Sequence, residues 1–545
     1  MVFELESFQD ETLQADYVAY LVDEQADDNA ARLGRLWDYF RNELTPSLAG
    51  DSGRPYAQAQ EVGLPPRITG AQVPGGAGTM TDLRRKEVVV ENDIAWRIGA
   101  MNDFLFGKPP VVRSLAADAR LAGVIERCIS AMLDANGGVG LLQEMALFGA
   151  VYGFVDVALR TPADGMAALP NRHLRPASLP VVEDSTARRP GTPDDSSASE
   201  ARPDNPDGRQ DRGDQRFSTV AQHMIATASR LQLETIESPR VLPILDENDY
   251  RRVRYWVQCY RKYPPRLSGG RKPWYALALP WPASSSPSTV EVVEIIGPAW
   301  WQRYEGRRLV AEGPNALGRI PVVHIQNMAM PGSYEGLSDV EPLIPLQDEL
   351  NTRLSDRANR VTYQSFKMYL GKGIDDFLDR PVGPGQMWAT QNLSASIEEF
   401  GSDDGSPSED AHIEQVRLAM DKASAVTPLA AGLVAGNVGN LTSATALKVV
   451  LSGLLARTAR KRLTYGQGLM QIIELALGYL DLSGVLPTSA DDRRVEIHWP
   501  SPLPADEGEQ LRNAQIKAAL GVPSQRVLAE LGYDGQDQNG VAGIQ

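Results

Sequence analysis

Between residues 11 and 44 apolar side chains recur every three or four positions, which predicts a helical hairpin whose second arm starts at the Asp27-Asp28-Asn29 cluster. Residues 47–81, rich in Gly, Pro, Ser and Gln, break the pattern. It resumes at Asn92-Asp93, where Ile94, Ile98, Met101 and Leu105 share one helical face up to the stop at Gly107-Lys108-Pro109-Pro110. Leu121, Val124, Ile125, Cys128, Ile129 and Met132 mark the next helix, so Cys128 is expected to pack as a small apolar residue. Past Gly137-Gly138 an apolar helix reaches about Tyr152 and leads into a strand over 154–159. Then the hydrophobic positions vanish: residues 161–215 are too polar and proline-rich to form a core and read as an exposed, partly mobile insertion.

Period two replaces the helical period further on. Val253, Tyr255, Val257 and Cys259 alternate with the opposite face, after a short apolar stretch at 241–245. Strands over 290–296, 300–304, 309–311 and 320–325 extend a mostly antiparallel sheet, with Glu305-Gly306-Arg307-Arg308 as a tight turn. Trp300 and Trp301 fall on opposite faces of their strand.

Beyond Gly318 the segment GRIPVVHIQN ends in a loop, and Ser338-Asp339-Val340-Glu341 reads as a capping box. On the helix it opens, Leu346, Leu350, Leu354 and Val361 make a narrow apolar stripe, while Glu349, Arg353, Asp356, Arg357 and Arg360 fill the other faces. Such a helix either meets one neighbour closely or stands in a ring of copies. Residues 364–401 follow as a compact Gly/Pro-rich module with short strands near 366–370 and 386–390. A second helix starts at Ser408-Glu409-Asp410, holds Ile413, Val416, Met420 and Ala423 together, and ends at Pro428. No residue between Lys422 and Lys448 is charged, and Gly432, Gly436 and Gly439 punctuate the segment. Each glycine costs on the order of 1 kcal/mol in a helix, so a flexible, uncharged loop is expected. Thr442 or Ser443 then caps a helix to about Leu482, roughly 60 Å long, with Gly453, Gly466 and Gly468 as bending points. A strand over 495–499, a helix over 506–520 and a polar tail close the chain.

Composition changes the picture mainly by subtraction. A chain of 545 residues, 42% hydrophobic, holds two to four folding units with real cores. With 54 Lys+Arg against 70 Asp+Glu its net charge is −16, which excludes partners won by broad phosphate attraction. Only Cys128 and Cys259 are present, so neither a disulfide framework nor a cysteine zinc site is expected. The N-terminus lacks a basic stretch followed by an apolar one, and the greasiest run, near 145–155, falls short of the roughly 20 residues of a membrane span. A soluble protein with no membrane partner and no signal peptide is the expectation. His173, His223, His324, His412 and His498 show no metal-ligand spacing; His324 and His498 fall in strands as structural residues. Phosphate-loop and nucleophile-elbow patterns are missing, and Asp375-Asp376 and Asp403-Asp404 sit in polar turns. No catalytic residue, cofactor or metal is therefore expected, and no enzyme.

The order of elements, with the segments GRIPVVHIQN, SDVEPLIPLQDELNTRLSD, NLTSATALKVVLSGLLARTARKRL and the upstream NDIAWRIGAMNDFLFGKPPVV, resembles the portal proteins of tailed bacteriophages, of the siphophage type, from about residue 92 to 533 outside the insertion. The resemblance implies an α+β, predominantly helical portal fold with wing, stem, clip and crown regions, assembling as a ring of probably twelve subunits at one capsid vertex. Wing would be 1–337, stem helices 338–363 and 408–426, clip 364–407, tunnel loop 427–440, long wing helix and strand 441–500, crown and tail 501–545. It further implies double-stranded DNA in transit during packaging and ejection, docking of the terminase large subunit and later of a head-completion adaptor, and contacts with major capsid and scaffolding proteins. The chain would reside in the virion, and in host cytoplasm during assembly. Leu429, Leu433, Val434, Asn437 and Asn440 would face the DNA; Lys367, Lys372, Asp375, Asp376, Asp379 and Arg380 would dock partners on the clip. Glu349, Arg353, Asp356, Arg357 and Arg360 would line the channel or the subunit interface, and Arg457, Arg460, Lys461 and Arg462 would pair with acids between subunits or contact DNA. Twelve helices about 10 Å across, side by side, leave a lumen roughly 28 Å wide, enough for a duplex. Two other readings stay open: another ring-forming virion connector, or a cytoplasmic enzyme whose site follows no familiar pattern.

Overall fold

The computed structural model describes residues 3–10, 13–42, 89–160, 219–262, 290–365, 368–372, 393–400, 407–432, 444–503 and 507–522, together with 524 and 527. In chain order the first elements are α1 (Ala15–Tyr20), α2 (Ala26–Arg41), α3 (Ala95–Phe106), β1 (Val111–Ser114), α4 (Ala119–Ala135), α5 (Val139–Tyr152) and β2 (Phe154–Arg160). After α6 (219–228) come β3 (Gln232–Ile236), β4 (Ile244–Leu245), β5 (Val253–Lys262), β6 (Val290–Ile296), β7 (Trp300–Glu305), β8 (Arg308–Pro314) and β9 (Val322–Gln326). The last are α7 (Ile344–Ser365), β10 (Met368–Lys372), β11 (Ser396–Phe400), α8 (Pro407–Ser424), α9 (Ala444–Val450), α10 (Ser452–Leu482), β12 (Val495–His498) and α11 (Glu507–Ala519).

The expected N-terminal hairpin is absent. A π turn over Leu21–Gln25 joins α1 to α2, and the backbone stays right-handed helical through both joins. No proline interrupts this run, so Asp27 and Asp28 occupy the first turn of α2 instead of reversing the chain. Strands β4 to β8 form an antiparallel sheet in sequential order, and β7 and β8 meet across Gly306 and Arg307, both at positive φ as a two-residue hairpin requires. The strand expected at 320–325 to extend this sheet instead forms β9 of another, paired with β2 from Phe154↔Gln326 to Ala158↔Val322. Three further sheets hold β3-β2-β9, β1-β12 and β10-β11. Neither β1 nor β11 is expected from the alternation. The strand expected at 386–390 and the insertion at 161–215 lie outside the described residues.

The main core joins α3, α4, α5, β2, β9 and the second half of α10. Cys128 is buried in it, as its place in the apolar stripe implied. A second core packs the N-terminal segment, through Phe3, Phe8 and Val18, on the five-stranded sheet. The long helix breaks at Leu451 and not at its glycines. Gly468 faces Ile325 so closely that a Cβ would lie 2.4 Å from that side chain, and a Cβ on Gly149 of α5 would lie 1.9 Å from the Tyr465 hydroxyl. These glycines serve close approach between elements, and α10 stays unbroken over 31 residues, about 46 Å.

Candidate functional site

The α7/α8 pair follows from two apolar stripes. Leu350, Ile413, Val416 and Met420 are buried between them, and Leu346 and Leu354 pack alongside; Val361 is exposed, so the stripe ends before the helix does. Charges zip the flanks: Arg357 reaches Asp410 at 3.1 Å, Arg360 pairs with Glu409, and His412 meets Glu349 at 3.0 Å. Those pairings run the helices antiparallel. Burial alone would raise the Glu349 carboxyl, but hydrogen bonds from His412 and Arg353 hold it below the usual range. The distal ends of both helices lead toward the β10-β11 hairpin, registered from Met368↔Phe400 to Lys372↔Ser396.

A polar stripe on α7 has a different task. Gln347, Asn351 and Ser355, four residues apart, are buried and bind an extended segment at 89–93 as a strand would. Val89 N donates to Ser355 Oγ at 2.9 Å, Glu91 N to Asn351 Oδ1 at 3.0 Å, and Asp93 N to Gln347 Oε1 at 3.1 Å. Gln347 Nε2 donates back to Glu91 O at 2.6 Å.

The proximal ends meet α10 at a buried ionic junction. Ser338 Oγ accepts from the Val340 and Glu341 amides and donates to Val151 O at 2.6 Å, starting a 3-10 turn over Glu341–Leu343 ahead of α7. Next to it Asp339, fully buried, takes Arg457 Nη2 on Oδ1 at 2.8 Å and both Lys461 Nζ and Asn327 Nδ2 on Oδ2. Burial would raise the Asp339 carboxyl, yet Lys461 and Arg457 overcome it and hold the group below the usual carboxylate range. Burial pulls the Lys461 ammonium below its ordinary value against the attraction of Asp339. Arg457 also donates to Ala423 O and Ser424 O at 3.0 and 2.9 Å, so one guanidinium ties the last carbonyls of α8 to the start of α7. A third buried cation, Arg97, bridges α3 to α8 through Asp93 at 2.8 Å and Asp421 at 2.6 Å.

The uncharged loop leaves from this junction. Ala425 adopts φ 58°, Val426 is buried, Pro428–Ala431 form a 3-10 turn, and Gly432 follows at φ 73°. Half-buried Leu429 belongs to that turn, and Ala430 packs on the Met101, Val426 and Leu454 cluster. Leu433, Val434, Asn437 and Asn440 lie outside the described residues, as do Lys367, Asp375, Asp376, Asp379 and Arg380 of the expected clip; Lys372 is exposed at the end of β10.

Of the charges expected to line a channel or subunit interface, Arg353 pairs with Glu349 and Asp356 on its own helix, while Glu349, Arg357 and Arg360 reach across to α8. The basic cluster divides. Arg457 and Lys461 spend their charge on Asp339 inside the chain, because helical spacing of four turns both inward. Arg462 donates to Pro500 O at 2.9 Å and lies over the Trp499 ring, and Arg460 points to solvent. Reasoning from sequence missed Asp339, Arg97 and the Gln347-Asn351-Ser355 stripe; an amide and hydroxyl series at intervals of four was the available signal. Among the described residues no group of three or more His, Cys, Asp or Glu is placed to hold a metal ion, and no helix is long and apolar enough to cross a membrane.

Residues 299–538 match the family described as phage portal protein, SPP1 Gp6-like. Among solved structures, a chain in the virion of a native gene transfer agent particle aligns at 11% identity, over 80% of this chain and 89% of its own, with a TM-score of 0.39. A chain in the neck of an empty particle of that type aligns at 12% identity over the same shares, with a TM-score of 0.42. No curated protein matches.

Proposed function

We propose, from the match of residues 299–538 to the family of SPP1 Gp6-like phage portal proteins, that this chain is the repeating subunit of a ring at one capsid vertex through which double-stranded DNA is packaged and ejected. In this reading α7 and α8 are the stem, β10 and β11 belong to the clip that meets the terminase and later the adaptor, and residues 427–440 are the tunnel loop. Helix α10 spans the wing, and α11 with the tail belongs to the crown. The supporting observation is that the matched region holds an antiparallel helix pair whose far end carries a hairpin and whose near end roots an uncharged loop in a buried ionic junction. A channel must let its cargo slide, and phosphate grip grows with each Lys or Arg contact. A segment free of charge from residue 423 to 447, with the proposed tunnel loop inside it, on a chain of net charge −16 meets that demand.

Mass tests the ring. Twelve chains of 59.4 kDa make a particle of about 713 kDa. Mass photometry of the purified chain at micromolar concentration is expected to show a species at or near that mass; thirteenfold rings would also fit, and monomers or dimers alone would overturn the proposal.

A further inference from the structure

A groove of about 940 Å³ lies against α10. Its apolar lining stays open to solvent: Leu463 is 71% exposed and Leu115 56%, with Leu337 and Met470 also exposed. Among the described residues its rim carries one free cation. Arg460 has no carboxylate partner among the described residues, Arg462 is satisfied by a carbonyl and a ring, and Glu496, also in the lining, faces His498 at 3.5 Å. Exposed apolar area of this kind, rimmed by charge, marks an interaction surface.

The opposite chemistry sits on a different core of the same chain. On α1, packed on the five-stranded sheet, Tyr17 and Tyr20 are 45% and 43% exposed with their rings stacked at 6.4 Å. Asp16 and Glu24 flank them, exposed and without an ion pair among the described residues. Adjacent aromatic rings with an acidic rim are what an apolar slot beside the free Arg460 accepts, since tyrosine brings large rigid contact area and its ring face attracts a guanidinium.

We infer that the α10 groove receives the Tyr17/Tyr20 patch of a second copy of this chain. Groove and patch are different surfaces, and both remain open in the single chain. Their union is therefore heterologous: each subunit offers its groove to one neighbour and its patch to the other, which closes into a ring when the rotation allows. The inference rests on the ring reading above and names the contact that builds it.

Paired cysteines test it. The native thiols do not interfere, because burial pushes Cys128 up to about 11 and Cys259 up to about 12, leaving both protonated near neutrality. The full chain carrying both Tyr17→Cys and Leu463→Cys, mildly oxidised after assembly, is expected to give a ladder of covalent multimers on a non-reducing gel. A mixture of the two single variants should stop at dimers, and each single variant alone should stay monomeric on the gel. Leu463→Asp should keep the wild-type far-UV circular dichroism spectrum, its site being exposed in the single chain, yet shift the population at least about tenfold from rings toward monomers. Wild-type rings of full mass with no ladder in the double variant, or dimers from either single variant alone, would overturn this contact while leaving the ring reading intact. A wild-type chain that stays monomeric by mass would remove both.

Discussion

Asp339 shows how much one side chain can carry. Two cations and one anion share a buried site, so Asp339 offsets one of the two positive charges and the other is left uncompensated by it. Asp339→Asn leaves both cations buried without a counter-charge, and a loss of about 3–5 kcal/mol is expected by urea unfolding. Lys461→Met should be neutral or stabilising, because Arg457 and Asp339 remain as a matched pair. The pH dependence has a definite sign. The Asp339 carboxyl lies lower in the folded chain than its unfolded value of about 3.9, so its stabilisation is complete above that pH and disappears as pH falls through the folded value. Lys461 is also lowered, and stability therefore rises as pH climbs from its folded value toward its unfolded one of about 10.4. Unfolding midpoints of wild type and Lys461→Met between pH 3 and 10 check both limbs: the alkaline gain should be missing from the variant and the acid loss retained. Nothing in the local sequence announced this group, since Ser338-Asp339-Val340-Glu341 reads equally well as an ordinary helix start.

At the scale of elements, α7 is a three-sided helix: an apolar side for α8, a charged flank, and the amide and hydroxyl stripe that holds residues 89–93. Only the first two were legible, because apolar spacing reports burial directly whereas a buried Asn looks the same as a solvated one until its partner is known. Asn351→Leu keeps the volume but strands the Glu91 amide, and a loss of about 1–3 kcal/mol is expected in thermal or urea unfolding. The loop root makes a separate prediction. Arg457 holds the carbonyls of residues 423 and 424 whatever follows, so deleting residues 429–437 should leave assembly intact by mass photometry while impairing packaging or retention of DNA in a defined packaging assay. Loss of rings in that variant would instead make the loop part of the core. The glycines of α10 carry the same lesson: their spacing suggested bends, but Gly468 is small because Ile325 fills the space a side chain would need.

For the whole molecule, the proposed channel turns on sliding without grip. Replacing Leu433 and Val434 by Lys in every subunit adds cations where the loop has none, and a salt-dependent slowing of DNA translocation is expected in a single-particle packaging measurement; an unchanged rate would remove the loop from the channel wall. By itself the sequence determined most of the elements: the helices α7 and α8, the antiparallel run of strands from β5 to β8, the uncharged segment and the long helix are each written in periodicities of 3.6 or 2, or in the absence of charge, which are local properties of the chain. Only the tertiary structure decided which charges face inward and which groove stays open. Arg457 and Arg460 are three residues apart and chemically alike, yet one is buried on Asp339, 118 positions away in sequence, and the other meets solvent. Such pairings depend on contacts between distant segments, and a linear pattern holds no record of those distances.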